Sequence, residues 1–190
     1  DSETQIDETY RKLLRGSDMH KYVNKWDGRR WIKYGENIAA PRKPENFNKD
    51  KIVVRQTSDT LIATFDTEKF ICLKNLHIIT QLDESKLSLK YLLALINSRL
   101  MDYYHFLLNP EKGEALAEVK KENLEKLPIK NISEKEQKPF IQLVDKLLDM
   151  KAKDATADIS AQEIELNNLV YKLYEITPEE KAIVEESTKK

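Results

Sequence analysis

The sequence predicts an α+β fold: a mostly β N-terminal half of antiparallel strands with long loops, then an α-helical C-terminal half. Three observations carry this. Short β-branched or alternating stretches crowd the chain before residue 87. From Ser88 onward, apolar residues recur at helical spacing. Turn residues punctuate the first half, and helix-start signals punctuate the second. Strands in one block and helices in the next is the α+β order, distinct from the βαβ alternation of a parallel sheet. At 190 residues the chain makes one domain with accessories or two small domains.

Residues 1–9 are polar and read as a disordered tail. The stretch Tyr10 to Tyr34 is basic and aromatic, with turns marked by Gly16 and by Asp27-Gly28. Asp18 suits the cap of a short helix at Met19–Tyr22, or a pairing with Arg15. Trp26 and Trp31 read as core. Residues 35–50 hold Gly35, Pro41, Pro44 and three Asn, a loop of some length. Strand signals follow at 51–57, at 61–67, and at 71–82 with Asn75 as a break, and the turns between them suggest an antiparallel meander.

Leu89, Leu92, Leu93, Ile96, Leu100, Tyr103 and Tyr104 predict one helix over 88–107, ending before Asn109-Pro110. Residues 111–132 read as irregular. Ser133-Glu-Lys-Glu136 is a capping box opening a helix with Phe140, Val144, Leu147 and Leu148 on one face. After a polar break at 152–159, Ser160-Ala-Gln-Glu163 predicts another cap. Thr177-Pro-Glu-Glu180 predicts a last helix with Pro178 at its first position.

Charge is distributed unevenly. Six of the seven arginines and both tryptophans fall between Arg11 and Arg55. Residues 10–57 carry thirteen Lys/Arg against five Asp/Glu, although the whole chain nets −1. Residues 131–190 hold nine Lys/Arg against thirteen Asp/Glu, so the late helices should turn away from phosphate. Arginine is the side chain best matched to bidentate contact with phosphate and guanine. The early segment therefore reads as a working face for a polyanion, nucleic acid above all, with a solvated charge cluster as the plain alternative.

Catalytic chemistry is not evident. His20, His77 and His105 are scattered, with no second ligand at metal spacing. The glycines are too few and too separated for a phosphate-cradling loop. Asn109-Pro110-Glu111-Lys112 begins like the Asn-Pro-Pro-Tyr motif of amino-methyltransferases but lacks the aromatic that stacks on a flipped base. Glu118-Val-Lys120 has nuclease spacing without an upstream Asp to complete a Mg²⁺ site. No metal or cofactor is expected in this chain. No apolar run approaches the ~20 residues of a membrane span. Cys72 is the only cysteine, which fits a reducing, cytoplasmic setting.

Several stretches together resemble one family, the TaqI-like C-terminal specificity (target-recognition) domain of N6-adenine DNA methyltransferases and type IIG restriction–modification enzymes. They are Leu13-Leu-Arg-Gly-Ser-Asp-Met-His-Lys-Tyr22, Trp31-Ile32, Lys51-Ile-Val-Val-Arg-Gln56, Phe65-Asp66 and Leu92-Leu-Ala-Leu-Ile-Asn-Ser-Arg-Leu100 with Tyr103-Tyr104. Leu124-Glu-Lys-Leu-Pro-Ile129 and Leu169-Val-Tyr-Lys-Leu-Tyr-Glu-Ile-Thr-Pro-Glu-Glu180 complete the set. The family's usual turn glycine after Leu-Tyr is Glu175 here. The resemblance implies a DNA-binding region over 10–130 and a helical region over 131–190 packing on it. It also implies a methyltransferase domain ahead of this module, bringing the catalytic motif and the S-adenosylmethionine site. Neither is in this sequence, in keeping with an N-terminus that reads as a cut inside a longer protein.

In such a module, Arg55, Gln56 and Thr57 are the candidate base-reading residues, because forked donors and amides identify guanine and adenine. An exposed edge strand with ordinary polar decoration is the alternative for that trio. Arg29, Arg30, Lys33, Arg42 and Lys43 are candidate phosphate contacts, which orient without specifying. Double-stranded DNA and the parent methyltransferase domain, with or without a nuclease, are the expected partners. Two rival readings stand beside this: half of a type I specificity subunit, and a protein-interaction module with a basic face.

Overall fold

A computed structural model describes residues 1–35, 38, 41–109 and 117–189. It contains antiparallel-rich strands in the first half and helices in the second, the α+β class expected. The strands are β1 (Tyr10–Leu14), β2 (Met19–His20), β3 (Val23–Asn24), β4 (Trp31–Lys33), β5 (Lys51–Arg55), β6 (Ala63–Asp66), β7 (Ile71–Cys72) and β8 (Leu76–Thr80). The helices are α1 (Glu45–Asn48), α2 (Leu89–Ile96), α3 (Arg99–Leu108), α4 (Lys121–Glu125), α5 (Glu134–Lys153), α6 (Ser160–Leu173) and α7 (Pro178–Ser187).

The arrangement of strands departs from a meander. β5 is the middle strand of an antiparallel sheet ordered β6-β5-β8, so it is not an edge. Between β6 and β8 the chain leaves this sheet as β7, which pairs in parallel with β1 in a second sheet ordered β4-β1-β7. The reason lies in the period-2 pattern of β5, which buries an apolar residue on each of its two faces. Ile52 and Val54 pack with Leu93, Leu95 and Val144 of the helical layer. Val53 packs with Leu13, Leu14 and Ile71 of the second sheet and with Phe70 just before β7. A strand buried on both faces needs a cover on each side, and the small sheet provides the second one.

Lys51 opens β5 and is completely buried. Its ammonium lies 2.5 Å from Asp66 Oδ2 and donates to the Phe47 carbonyl at 3.2 Å. Asp66 also accepts from the Glu68 amide at 2.8 Å and the Phe70 amide at 3.1 Å. One buried ion pair thus ties together α1, the sheet and the turn into β7, and each charged group gains a further hydrogen bond to backbone, which a desolvated pair needs.

The long helix expected over 88–107 is broken. α2 and α3 are separated at Asn97-Ser98, where Asn97 Oδ1 accepts from the Ala63 amide and Nδ2 donates to the Ala63 carbonyl, both at 3.0 Å. The buried amide side chain stands in for a neighbouring strand at the edge of β6. Ser98 Oγ then accepts from Met101 N at 3.3 Å and restarts the helix. Apolar periodicity runs through both helices and cannot register the break.

Other boundaries also moved. No helix forms at Met19–Tyr22; Gly16–Asp18 is a 3₁₀ turn and β2 follows. Asp18 instead accepts from the Arg15 backbone amide at 2.9 Å. The stretch 111–132, expected irregular, contains α4. At α6, Ser160 is the first helical residue and its hydroxyl donates to Asp158 Oδ1, so the Ser160–Glu163 cap is not made. The boxes at Ser133–Glu136 and Thr177–Glu180 are both formed. Glu175 takes φ 58 where a glycine would be natural, and the Ile176 amide still reaches the Tyr171 carbonyl at 2.9 Å.

Candidate nucleic-acid interface

The strand pairings decide which cations share a surface. β1 runs parallel to β7 and antiparallel to β4, while Arg55 at the exit of β5 lies opposite Leu76. The end of β1, the start of β4, the exit of β5 and the turn between β7 and β8 therefore meet at one end of the two sheets. Gly16 is in van der Waals reach of Arg55 and Asn75: a Cβ built there would stand 3.7 Å from Arg55 Cγ and 3.7 Å from Asn75 Nδ2. The Gln56 amide donates to the Asn75 carbonyl at 3.1 Å.

Arg15 and Arg29 are exposed at this end, beside Asp1, Asp27 and Arg30. The Asp27-Gly28 turn, with Gly28 at φ 82, presents Arg29, and Asp27 Oδ1 accepts the Arg29 amide at 3.0 Å. That amide holds the Asp27 carboxyl below the ordinary carboxylate range. Partial burial, then the cations Lys25, Arg55 and Lys151, hold the His20 imidazole below its ordinary value, so His20 marks the same positive field. Lys151 comes from the late part of α5, which reaches the β2–β3 hairpin.

The sequence-derived candidates do not all fall here. Arg55, Gln56 and Thr57 do: Arg55 and Gln56 are half-buried, Thr57 is exposed, and Arg55 Nε donates to the Thr57 carbonyl at 2.8 Å. Arg29 and Arg30 stand at the same end. The Arg30 guanidinium, however, is held by Asp18 at 2.5 Å, with Asp27 at 3.7 Å. Lys33 sits opposite Tyr10, at the far end of β1. Arg42 donates from Nη1 to the Cys72 carbonyl at 3.3 Å, beside the start of the β7–β8 turn. Lys43 is exposed at the entrance to α1.

Arg15, Lys25, Asn75 and Glu118 join this surface without having been singled out for it. The sequence marks Arg15 only as a pairing partner for Asp18. Asn75 was legible only as a strand breaker. Trp26 and Trp31 are each partly buried and meet edge to face at 5.4 Å, with Trp26 also against Phe70. They support the small sheet beneath the arginines.

Among the described residues, no group of three or more His, Cys, Asp or Glu could hold a metal ion, and no helix is long and apolar enough to cross a membrane. Burial pushes the Cys72 thiol up to about 12, which makes it a core residue. Pro110, Glu111 and Lys112 lie outside the described residues.

No curated protein matches the chain. The family model for the TaqI-like C-terminal specificity domain matches residues 11–129, a span that holds every strand except the first residue of β1, α1 to α4 and the arginine-bearing end. A specificity domain is not itself the catalytic part of a restriction–modification enzyme. By the extent of that match the chain belongs to the TaqI-like C-terminal specificity domain family.

Proposed function

We propose that this domain binds duplex DNA and selects the sequence at which an attached N6-adenine methyltransferase acts. The observation that supports it best is the meeting of Arg15, Arg29 and Arg55 with Gln56, Thr57 and Asn75 at one end of the paired sheets. Guanidinium groups suit phosphate oxygens and guanine edges, and amides suit adenine edges. Arg55, Gln56 and Thr57 read bases, because they leave a central strand whose backbone is fixed on both sides. Arg29, Arg42 and Lys43 contact phosphates, while Lys33, at the far end of β1, lies off this surface. Arg30, engaged by Asp18, contributes less than these three and mainly sets the Arg29 turn.

S-adenosylmethionine and the methyl-transfer groups belong to the attached catalytic domain in this reading. The test is binding of the 190-residue chain to duplex DNA across a salt series. With ~4–6 phosphate contacts, log K falls with log salt at a slope of about −4 to −5. Affinity that ignores salt would overturn the reading. Arg42→Ala combined with Lys43→Ala should weaken every duplex by a similar factor, since phosphate contacts carry no sequence information.

A further inference from the structure

Gln56 and Thr57 are joined at the exit of β5 by a second stretch of chain. Thr57 and Glu118 form an antiparallel bridge, and the Val119 amide donates to the Gln56 carbonyl at 2.7 Å. Asn109 Nδ2 donates to the Glu118 carbonyl at 2.9 Å, and His77 Nε2 lies 2.7 Å from the Val119 carbonyl. Residues 117–120 are thereby held as an extra, strand-like segment. Extended backbone sends alternate side chains to opposite sides. Ala117 and Val119 are buried, and Glu118 and Lys120 are exposed. The Glu118 carboxylate is fixed on a rigid backbone, with Oε2 3.4 Å from Gln56 Nε2.

A carboxylate repels phosphate, so a surface built for phosphate alone would omit it. The major groove offers one base edge that a carboxylate suits. Guanine presents only acceptors and thymine an acceptor with a methyl group, while adenine sets the N7 acceptor beside its amine. Cytosine presents the N4 amine without a neighbouring acceptor of its own. We propose that Glu118 is a specificity-determining residue that accepts a hydrogen bond from the N4 amine of a cytosine, in the base pair next to the one Gln56 contacts. This rests on the DNA-recognition reading above. It also gives a role to the Glu118-Val-Lys120 triplet, which belongs to no metal-holding group among the described residues.

The test is selection of duplexes from a randomised library by the 190-residue chain at low salt, with Gln56→Ala, Glu118→Ala and Glu118→Gln run in parallel. Wild type should enrich cytosine at one position. Glu118→Ala should lose that preference about tenfold, keep the other positions and keep its melting temperature, because the side chain is exposed. Glu118→Gln should shift the same position toward adenine, whose N6 and N7 an amide engages together. If wild type does not bind duplex DNA in a salt-dependent way, the DNA-recognition reading fails and the proposal with it. If wild type binds without any sequence preference, the site-selection reading fails and the proposal with it; if Gln56→Ala changes the selected site while both Glu118 variants keep cytosine, the Glu118 assignment alone is overturned. A Glu118→Ala protein that loses all positions equally and melts earlier would show a purely structural strut, which also overturns it.

Discussion

Lys51 and Arg55 sit at the two ends of β5, on the same face of one strand, yet their surroundings have nothing in common. Lys51 is sealed from water and bonded to Asp66 and the Phe47 carbonyl. Arg55 stands at the rim beside Gly16, in the positive field that also reaches His20. The first cation organises the fold, and the second belongs to a surface. Lys12 bound to Glu68 at 2.6 Å and Arg30 bound to Asp18 lie between these extremes. A count of charges along the chain treats all four alike, so the cationic excess of residues 10–57 overstates the working face. Burial and local carboxylates decide which cations remain for a partner.

The sharpest way to break this comparison is Lys51→Met. It leaves Asp66 as an uncompensated buried charge and should cost about 3–5 kcal/mol. Adding Asp66→Asn should recover most of that loss, because removing both charges of a buried pair is often close to neutral. Urea unfolding reads both, with the shift in the midpoint rather than the slope. A Lys51→Met protein as stable as wild type would refute the architectural role.

Asn97→Ala comes next. It strips the Ala63 amide of its partner in a buried setting and should cost about 2 kcal/mol. Hydrogen exchange at Ala63 should accelerate with it, and unchanged protection would mean that the edge of β6 is held by something else. Arg55→Ala should move unfolding by no more than ~0.5 kcal/mol, as expected for a rim residue. In DNA selection it should relax one base pair by ~1–3 kcal/mol. A large stability loss with intact selectivity would reverse the comparison between the two ends of β5. The smallest expected change is a gain: Glu175→Gly should stabilise by about 1 kcal/mol, by relieving the left-handed backbone at the end of α6. A lower melting temperature would show that the Glu175 side chain earns its position by a contact.

Much of this fold was legible beforehand where the signal is local. Ser133 and Thr177 form the caps their spacing announces, because an N-cap needs only neighbours three residues away. Asn75 falls in the turn that separates β7 from β8, and Glu175 occupies the glycine-like site. The single helix over 88–107 failed because its interruption depends on Asn97 meeting Ala63, far away in sequence. The meander failed because strand order follows which faces need covering, a property of the assembled layers. Within the candidate interface, residue chemistry pointed to Arg55, Gln56, Thr57 and Arg29. It could not foresee that Asp18 would take Arg30 or that Glu118 would arrive beside Gln56.

By itself the sequence determined the α+β order, the strong helix starts, the concentration of arginine in the early third, and the family. Each of these is carried by residue type and short-range spacing. Only the tertiary structure decided that β5 is central, that Lys51 is buried, that Lys33 lies away from Arg15, and that residues 117–120 close over the exit of β5. Those outcomes come from contacts between distant segments, in which desolvation and the pairing of backbone groups select one arrangement from many that the same local pattern would allow.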